Sequence, residues 1–319
     1  MSAARNRSRK VSDTLRGAVD TRVVIGSIEL RHPVMTASGT AGYGNEFAPY
    51  FDLASIGAVV TKSIAPYEWP GNPAPRVHPT PQGMMNAVGL QGPGIEHWLL
   101  RELPALAATG ATVVCSIWGR SVDDYRRAAE MLADAPPSVV AVEVNLSCPN
   151  LEGRGSIFAH DAELSAEVIA ATATCGRPRW AKLSANTDRI VEVASACSEA
   201  GAEAVTLINT LLGMSFDPDT LRPALGNGGG GLSGRAIHPV AVRAVHDVRQ
   251  ALPDLPIVGV GGVASGWDAV ELMVAGAQAV QVGTASFADP RACARIAEEM
   301  VSFAASREMP RLADFNAVV

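Results

Sequence analysis

The sequence predicts an α/β protein built as a (β/α)8 TIM barrel, and two observations predict it. Eight short runs rich in Val, Ile and Ala recur along the 319-residue chain, each ending in glycine or small polar residues. Helical patterns lie between most of them, as a closed parallel sheet with covering helices requires. Eight β/α units also fit the length, since such barrels run to about 250 residues before insertions. The competing architecture is an open doubly wound sheet. It is disfavoured because no strand near the N-terminus opens a full dinucleotide fingerprint.

The elements follow in order. Arg5, Arg7, Arg9, Lys10, Arg16 and Arg22 against Asp13 and Asp20 give the first 22 residues a charge of +4, leaving −10 for the rest. That opening has no apolar core, so a disordered basic tail over 1–22 is expected, with a docking or transit role as the alternative. VVIGSIEL (23–30) alternates apolar and polar residues and predicts a short N-terminal hairpin. The eight barrel strands are then VMTASG (34–39), AVVTKS (58–63), TVVCSI (112–117), VAVEVNLS (140–147), RWAKLS (179–184), AVTLINT (204–210), PIVGVGG (256–262) and AVQVGT (279–284). Between the later ones, DRIVEVASACSEAGA (188–202) and WDAVELMVAGA (267–277) carry helical periodicity, the second broken off by Gly276. With no obvious linker, residues 23–319 read as one barrel domain.

Composition narrows the function. Hydrophobic residues make up 48 % of the chain, enough for a substantial core. The net charge of −6 argues against nucleic acid as a main partner, and no run approaches the ~20 apolar residues of a membrane span. A soluble, cytoplasmic protein is expected. The cysteines are Cys115, Cys148, Cys175, Cys197 and Cys293, an odd and scattered set with no C-x-x-C pair and no zinc or iron–sulfur spacing. A reducing compartment follows, and any metal centre belongs on another chain.

In a barrel of this class, function gathers where the strands end. Those ends read SGT, TKS, SIW, NLSCPN, KLSAN, INT, GVGG and VGT, rich in Ser, Thr, Asn, Lys and Gly above apolar strand bodies. A small-molecule site ringed by hydrogen-bond donors is predicted. GVGGV with Ala264 matches a dinucleotide variant, but no acidic residue follows at the distance a ribose needs. Paired with Gly283–Thr284 after the last strand, Gly261–Gly262 reads better as a barrel phosphate site. GNGGGGLSG (226–234) lacks the Lys-Ser/Thr of a triphosphate loop. Its first part, 226–230, is expected to be a flexible surface loop, and Gly234 to be a ligand contact. Lys62 and Lys182, at strand ends, are either snorkelling surface residues or cations that hold an anionic ligand. His78, His97, His160, His238 and His246 show no ligand spacing, which leaves Cys148 as the candidate base. The bland alternative for Cys148 is a small buried apolar residue.

NLSCPN (145–150), MMNAVGLQGPG (84–94), LINTLLGM (207–214) and GGLSGRAIHPVAVR (230–243) together resemble the class 1 dihydroorotate dehydrogenases, in the right order from about residue 23 to about residue 305. LINTLLGM looks most like the class 1B branch, and class 2 relatives have serine where Cys148 stands. The resemblance implies oxidation of (S)-dihydroorotate to orotate in pyrimidine biosynthesis. Cys148 takes the C5 proton while the C6 hydride passes to an FMN held by this chain. It also implies a homodimeric core paired with an iron–sulfur (2Fe-2S) and FAD subunit that reduces NAD, a heterotetramer. Lys62, Asn86, Ala87, Val88, Gly89, Leu90, Asn145, Asn209, Thr210 and Asn150 are implied to grip substrate. FMN is implied to rest on Ser38, Lys62, Ser63, Ser116, Asn145, Lys182, Ile208 and Gly234, with its phosphate on Gly261, Gly262, Gly283 and Thr284. PNLEGRGSIFAHD (149–161) is implied to be an active-site lid hinged at Gly153 and Gly155. Proline then forces the chain out of the strand, and a neutral thiol, unlike a carboxylate, does not repel an anionic substrate.

Three positions depart from the family pattern: Ser116 and Gly92, where asparagine is usual, and Ala185, where proline is usual. A shorter hydroxyl at 116 is expected to weaken or re-route a flavin contact. The rival readings are a fumarate-using class 1A homodimer, a barrel lyase or isomerase that uses the phosphate site without flavin, and a non-catalytic scaffold.

Overall fold

A computed structural model of the chain describes residues 19–147 and 157–317. In chain order its strands are β1 (Val23–Ile25), β2 (Ile28–Leu30), β3 (Val34–Thr36), β4 (Val59–Val60), β5 (Val77–Thr80), β6 (Gly83–Asn86) and β7 (Val113–Ile117), then β8 (Val139–Asn145), β9 (Arg179–Lys182), β10 (Ala204–Leu207), β11 (Leu211–Gly213), β12 (Gly230–Ser233), β13 (Ile257–Val260) and β14 (Ala279–Val282). Among the described residues eight of these pair in parallel, in the order β3-β14-β13-β10-β9-β8-β7-β4. The ring closes where Gly57 N–H donates to Val34 O at 2.8 Å and Thr36 N–H to Ala58 O at 3.2 Å. These are the eight runs read from the sequence. Their bodies are buried on both faces, which is why they are mostly apolar, with Glu143 and Gln281 as buried exceptions.

The covering helices start where a side chain caps them. Ser121 accepts from Asp124 N–H ahead of Val122–Met131, Asp161 from Leu164 N–H ahead of Ala162–Ala171, and Ser265 from Asp268 N–H ahead of Gly266–Val274. Ile190–Glu199, His238–Ala251 and Ala292–Ser306 complete the later units. The first unit differs: only a 3₁₀ turn, Leu53–Ser55, joins β3 to β4, because residues 41–57 are aromatic- and glycine-rich with no helical period. The hairpin β1–β2 forms as read. The end of the expected basic tail is docked: Asp20 N–H donates to Pro310 O at 2.8 Å, and Asp20 bridges Arg311. The rest of that tail lies outside the described residues.

A second sheet was not foreseen. β11-β12-β6-β5 is antiparallel and is made from two excursions, one after β4 and one after β10. Gly230, expected in a flexible loop, instead pairs with Gly213 at the start of β12. The run of glycines is a packing requirement here: a Cβ on Gly231 would fall 2.1 Å from Thr210 Oγ1, and one on Gly230 2.4 Å from Asn86 O. Thr284 Oγ1 donates to Ser233 Oγ at 2.8 Å and ties this sheet to the end of β14. No helix among the described residues is long and apolar enough to cross a membrane.

Tyr125, fully buried on the Val122–Met131 helix, packs edge-on against Phe158 and donates its hydroxyl to Asn145 O at 2.6 Å. Tyr125→Phe keeps the ring contact and removes this buried hydroxyl donor. It should therefore lower stability by about 1–3 kcal/mol, read as a shift in denaturant midpoint at constant slope.

Candidate active site

All eight parallel strands point the same way, so their C-terminal ends converge on one mouth. There the protein encloses a cavity of about 1090 Å³ between the strand ends and the second sheet. Ser38, Lys62, Ser63, Asn145, Lys182 and Ile208 line it from the barrel. Asn86 through Leu90 and Gly234 line it from the sheet side, with Asn209 and Thr210 after β10. Gly261, Gly262, Gly283 and Thr284, from the adjacent strands β13 and β14, also face it. Cys148 and Asn150 lie outside the described residues, as do the lid glycines 153 and 155.

Ser116 is the exception. It is fully buried, does not line the cavity, and pairs with Ser63 Oγ at 2.9 Å and Glu143 Oε1 at 3.3 Å. A serine at this point of β7 is too short to reach past Ser63, so its hydrogen bond turns downward into the barrel.

Charge is distributed one-sidedly. Lys62, Arg120 and Lys182 line the cavity, and among the described residues no Asp or Glu does. Such a surface binds anions. The Lys62 ammonium sits 5.4 Å from the Tyr43 ring centroid, and its pKa is lowered by burial and then by the nearby charge of Arg76. Lys182, only 5 % exposed, donates to Ser38 Oγ at 2.9 Å and lies 3.8 Å from Glu143 Oε1.

The loop from Ala87 to Leu90 is shaped as an anion nest. Its carbonyls are taken from behind: Asn72 Nδ2 donates to Ala87 O at 3.1 Å, Asn72 N–H to Val88 O at 3.0 Å, and Trp69 Nε1 to Gly89 O at 3.0 Å. Gly89 and Leu90 both have left-handed backbone, at φ 73° and 59°. For a leucine that is strained, and such strain gathers at functional sites. Among the described residues, no backbone carbonyl accepts from Val88, Gly89 or Leu90 N–H.

The asparagines are held by each other. Asn145 Oδ1 accepts from Ser147 N–H at 3.2 Å and Asn209 Nδ2 at 3.3 Å, Asn145 Nδ2 donates to Ser63 Oγ at 3.1 Å, and Asn209 Oδ1 accepts from Thr210 N–H at 2.7 Å. Across the ring, Gly262 has φ 70°, and a Cβ there would fall 2.9 Å from Gly234 O. His238 Nδ1 bonds Gly261 O at 2.8 Å and fixes that turn. The result is a bare backbone surface that a phosphate can approach, with space beside it for a planar ring.

Sequence reasoning missed Glu143 and Gln281, although each was visible as a polar residue inside an otherwise apolar run. It also missed Trp69, Asn72, Trp118 and Arg120, where the Arg120 guanidinium stacks 4.8 Å over the Trp69 ring. Trp118 follows a strand that was read, but the segments of the other three carried no strand or helix pattern to mark them.

A family model described as dihydroorotate dehydrogenase matches residues 21–303. The chain is 47 % identical over 288 residues to the dihydroorotate dehydrogenase B (NAD(+)) catalytic subunit of Geotalea uraniireducens, covering 90 % of this chain and 94 % of that protein. It is 47 % identical over 298 residues to the protein of the same name from Trichlorobacter lovleyi, covering 93 % and 96 %. To that of Geobacter sp. strain M21 it is 46 % identical over 291 residues, covering 91 % and 95 %.

The lowered pKa of Lys62 has a defined sign. An anion held by its ammonium binds while Lys62 is protonated and is released as pH rises through that pKa, which lies below the usual 10.5. Titrated calorimetrically, orotate should bind more weakly on this alkaline limb. Lys62→Arg, charged throughout, should lose the limb even if overall affinity falls.

Proposed function

The chain belongs to the dihydroorotate dehydrogenase family, in its class 1B branch, and on that premise we propose that it oxidises (S)-dihydroorotate to orotate in pyrimidine biosynthesis. One observation supports this reading most: a cavity with no carboxylate among its described lining residues joins a bare glycine turn to a loop of backbone N–H groups, a lysine and paired asparagines. The glycine end fits a phosphate, the volume fits a flavin mononucleotide together with a small ring, and the N–H nest beside Lys62 fits a carboxylate. FMN, when bound, supplies the hydride acceptor.

The protein groups then have distinct work. Gly261, Gly262, Gly283 and Thr284 hold the phosphate with backbone N–H groups. With FMN bound, Lys182 would hold its positive charge beside the ring system. The N–H groups from Val88 to Leu90, together with Lys62, hold the substrate carboxylate. Asn86, Asn145, Asn209 and Thr210 take its ring amides, whose donors and acceptors match carboxamides in both senses. Cys148 removes the C5 proton. It does so as the thiolate, which becomes the thiol when the C5 proton is transferred to it. The cytoplasm is the fitting compartment, and an iron–sulfur and FAD subunit on a homodimeric core is the fitting route to NAD.

The test is the visible spectrum of the purified chain, supplied with FMN and kept anaerobic, before and after dihydroorotate. Bleaching of a bound flavin band supports the assignment, and a bound flavin that does not bleach removes the substrate from it. Failure to bind FMN removes the cofactor. Reoxidation of the isolated chain by fumarate would favour the class 1A reading over the NAD-linked one. Cys148→Ala should retain FMN yet reduce it about 10²–10⁴-fold more slowly in stopped flow, the usual cost of a positioned base.

A further inference from the structure

One carboxylate lies directly beneath the cavity without touching it. Glu143, fully buried in the middle of β8, is reached by Gln281 Nε2 at 2.6 Å, by Ser116 Oγ at 3.3 Å and by Lys182 Nζ at 3.8 Å. A buried carboxylate in an apolar strand costs several kcal/mol unless donors surround it. Here they come from three other strands. In the closed ring β14 stands opposite β8, so the Gln281–Glu143 bond crosses the barrel. Lys182 on β9 likewise reaches Ser38, which follows the opposite strand β3. Gln281 turns its amide donor to Glu143 and leaves its own buried carbonyl oxygen without a partner, an orientation that an acceptor carboxylate enforces.

The chain of bonds runs upward from that acceptor. Ser116 donates to Glu143, so Ser63 must donate to Ser116, and Asn145 Nδ2 then donates to Ser63. This leaves Asn145 Oδ1 as the atom that accepts from Asn209. Glu143 thus sets the hydroxyl directions of Ser116 and Ser63, while the backbone N–H groups of Ser147 and Thr210 fix the amides of Asn145 and Asn209. Glycine or alanine could fill β8 at this point at no electrostatic cost, so the retained charge calls for a role.

We propose that Glu143 is a positioning residue of this site: its carboxylate pins Lys182, orders the Ser116 and Ser63 hydroxyls and sets the charge felt by a ring bound above it. The proposal rests on the flavin reading above. Its consequence is electrostatic. In a low-dielectric barrel one buried negative charge opposes the arrival of electrons nearby, and Lys182 offsets it.

The experiment replaces Glu143 with its neutral isostere. Wild-type chain and Glu143→Gln, both loaded with FMN, are titrated with a reference dye to give the midpoint potential of the bound flavin, with thermal unfolding measured alongside. Removing the negative charge should move the potential upward, by at least a tenfold bias toward the reduced form, which is about 30 mV for a two-electron couple. An unchanged potential at full FMN occupancy overturns the proposal, since a purely structural residue leaves the potential where it was. A wild-type chain that takes no FMN instead overturns the flavin reading itself. Should Glu143→Gln not fold, the double variant with Lys182→Met decides. An unpaired Lys182 ammonium as the cause predicts that the double variant recovers folded protein, and one that folds no better than Glu143→Gln overturns the proposal.

Discussion

Everything at the functional end depends on closure of the parallel ring between β3 and β4, where β4 contributes only two residues to the sheet. The Gly57 and Thr36 amides make that seam, and a Cβ on Gly57 would fall 2.1 Å from His32 O, so the seam admits no side chain there. Once the ring is closed, parallel pairing sends every strand end to the same mouth. Ser38 and Lys182, or Gln281 and Glu143, come from segments more than 130 residues apart, yet they meet across its width. An open sheet of the same strands would leave each pair stranded on opposite edges.

Closure also accounts for the electrostatics. Among the described residues, the cavity wall shows cations, amides and hydroxyls, while the Glu143 carboxylate is withheld a layer below. That separation follows from the two-residue period of a strand: Asn145 and Glu143 point the same way on β8, one at the mouth and one beneath it. Anionic ligands thus meet Lys62 and the N–H nest directly. Glu143 steadies Lys182 without repelling them.

The second sheet turns the mouth into an enclosed site. Its strands are short, glycine-rich and broken across the chain, and their pairing of residues 83–86 with 230–233 has no local cause. Bare backbone lets these strands come close to the barrel, as the contacts around Gly230 and Gly231 require. The Thr284–Ser233 bond then couples the sheet to the glycine turn at the far side of the cavity.

The sequence by itself determined the eight strands, their order along the chain and the chemistry of their ends. Burial on both faces forces runs dominated by Val, Ile and Ala, and most of the polar residues that close each run are left facing the mouth. Lys62, Lys182, Asn145, Asn209 and the glycines after β13 and β14 were legible for that reason. Tertiary structure alone decided what those residues touch. Whether Ser116 faces a ligand or turns down to Glu143 depends on the reach of a side chain on the neighbouring strand. That Gln281 answers Glu143 depends on the diameter of the closed ring. The strain at Leu90 and the assembly of the second sheet arise from contacts between distant segments, and such contacts leave no periodic trace in the chain.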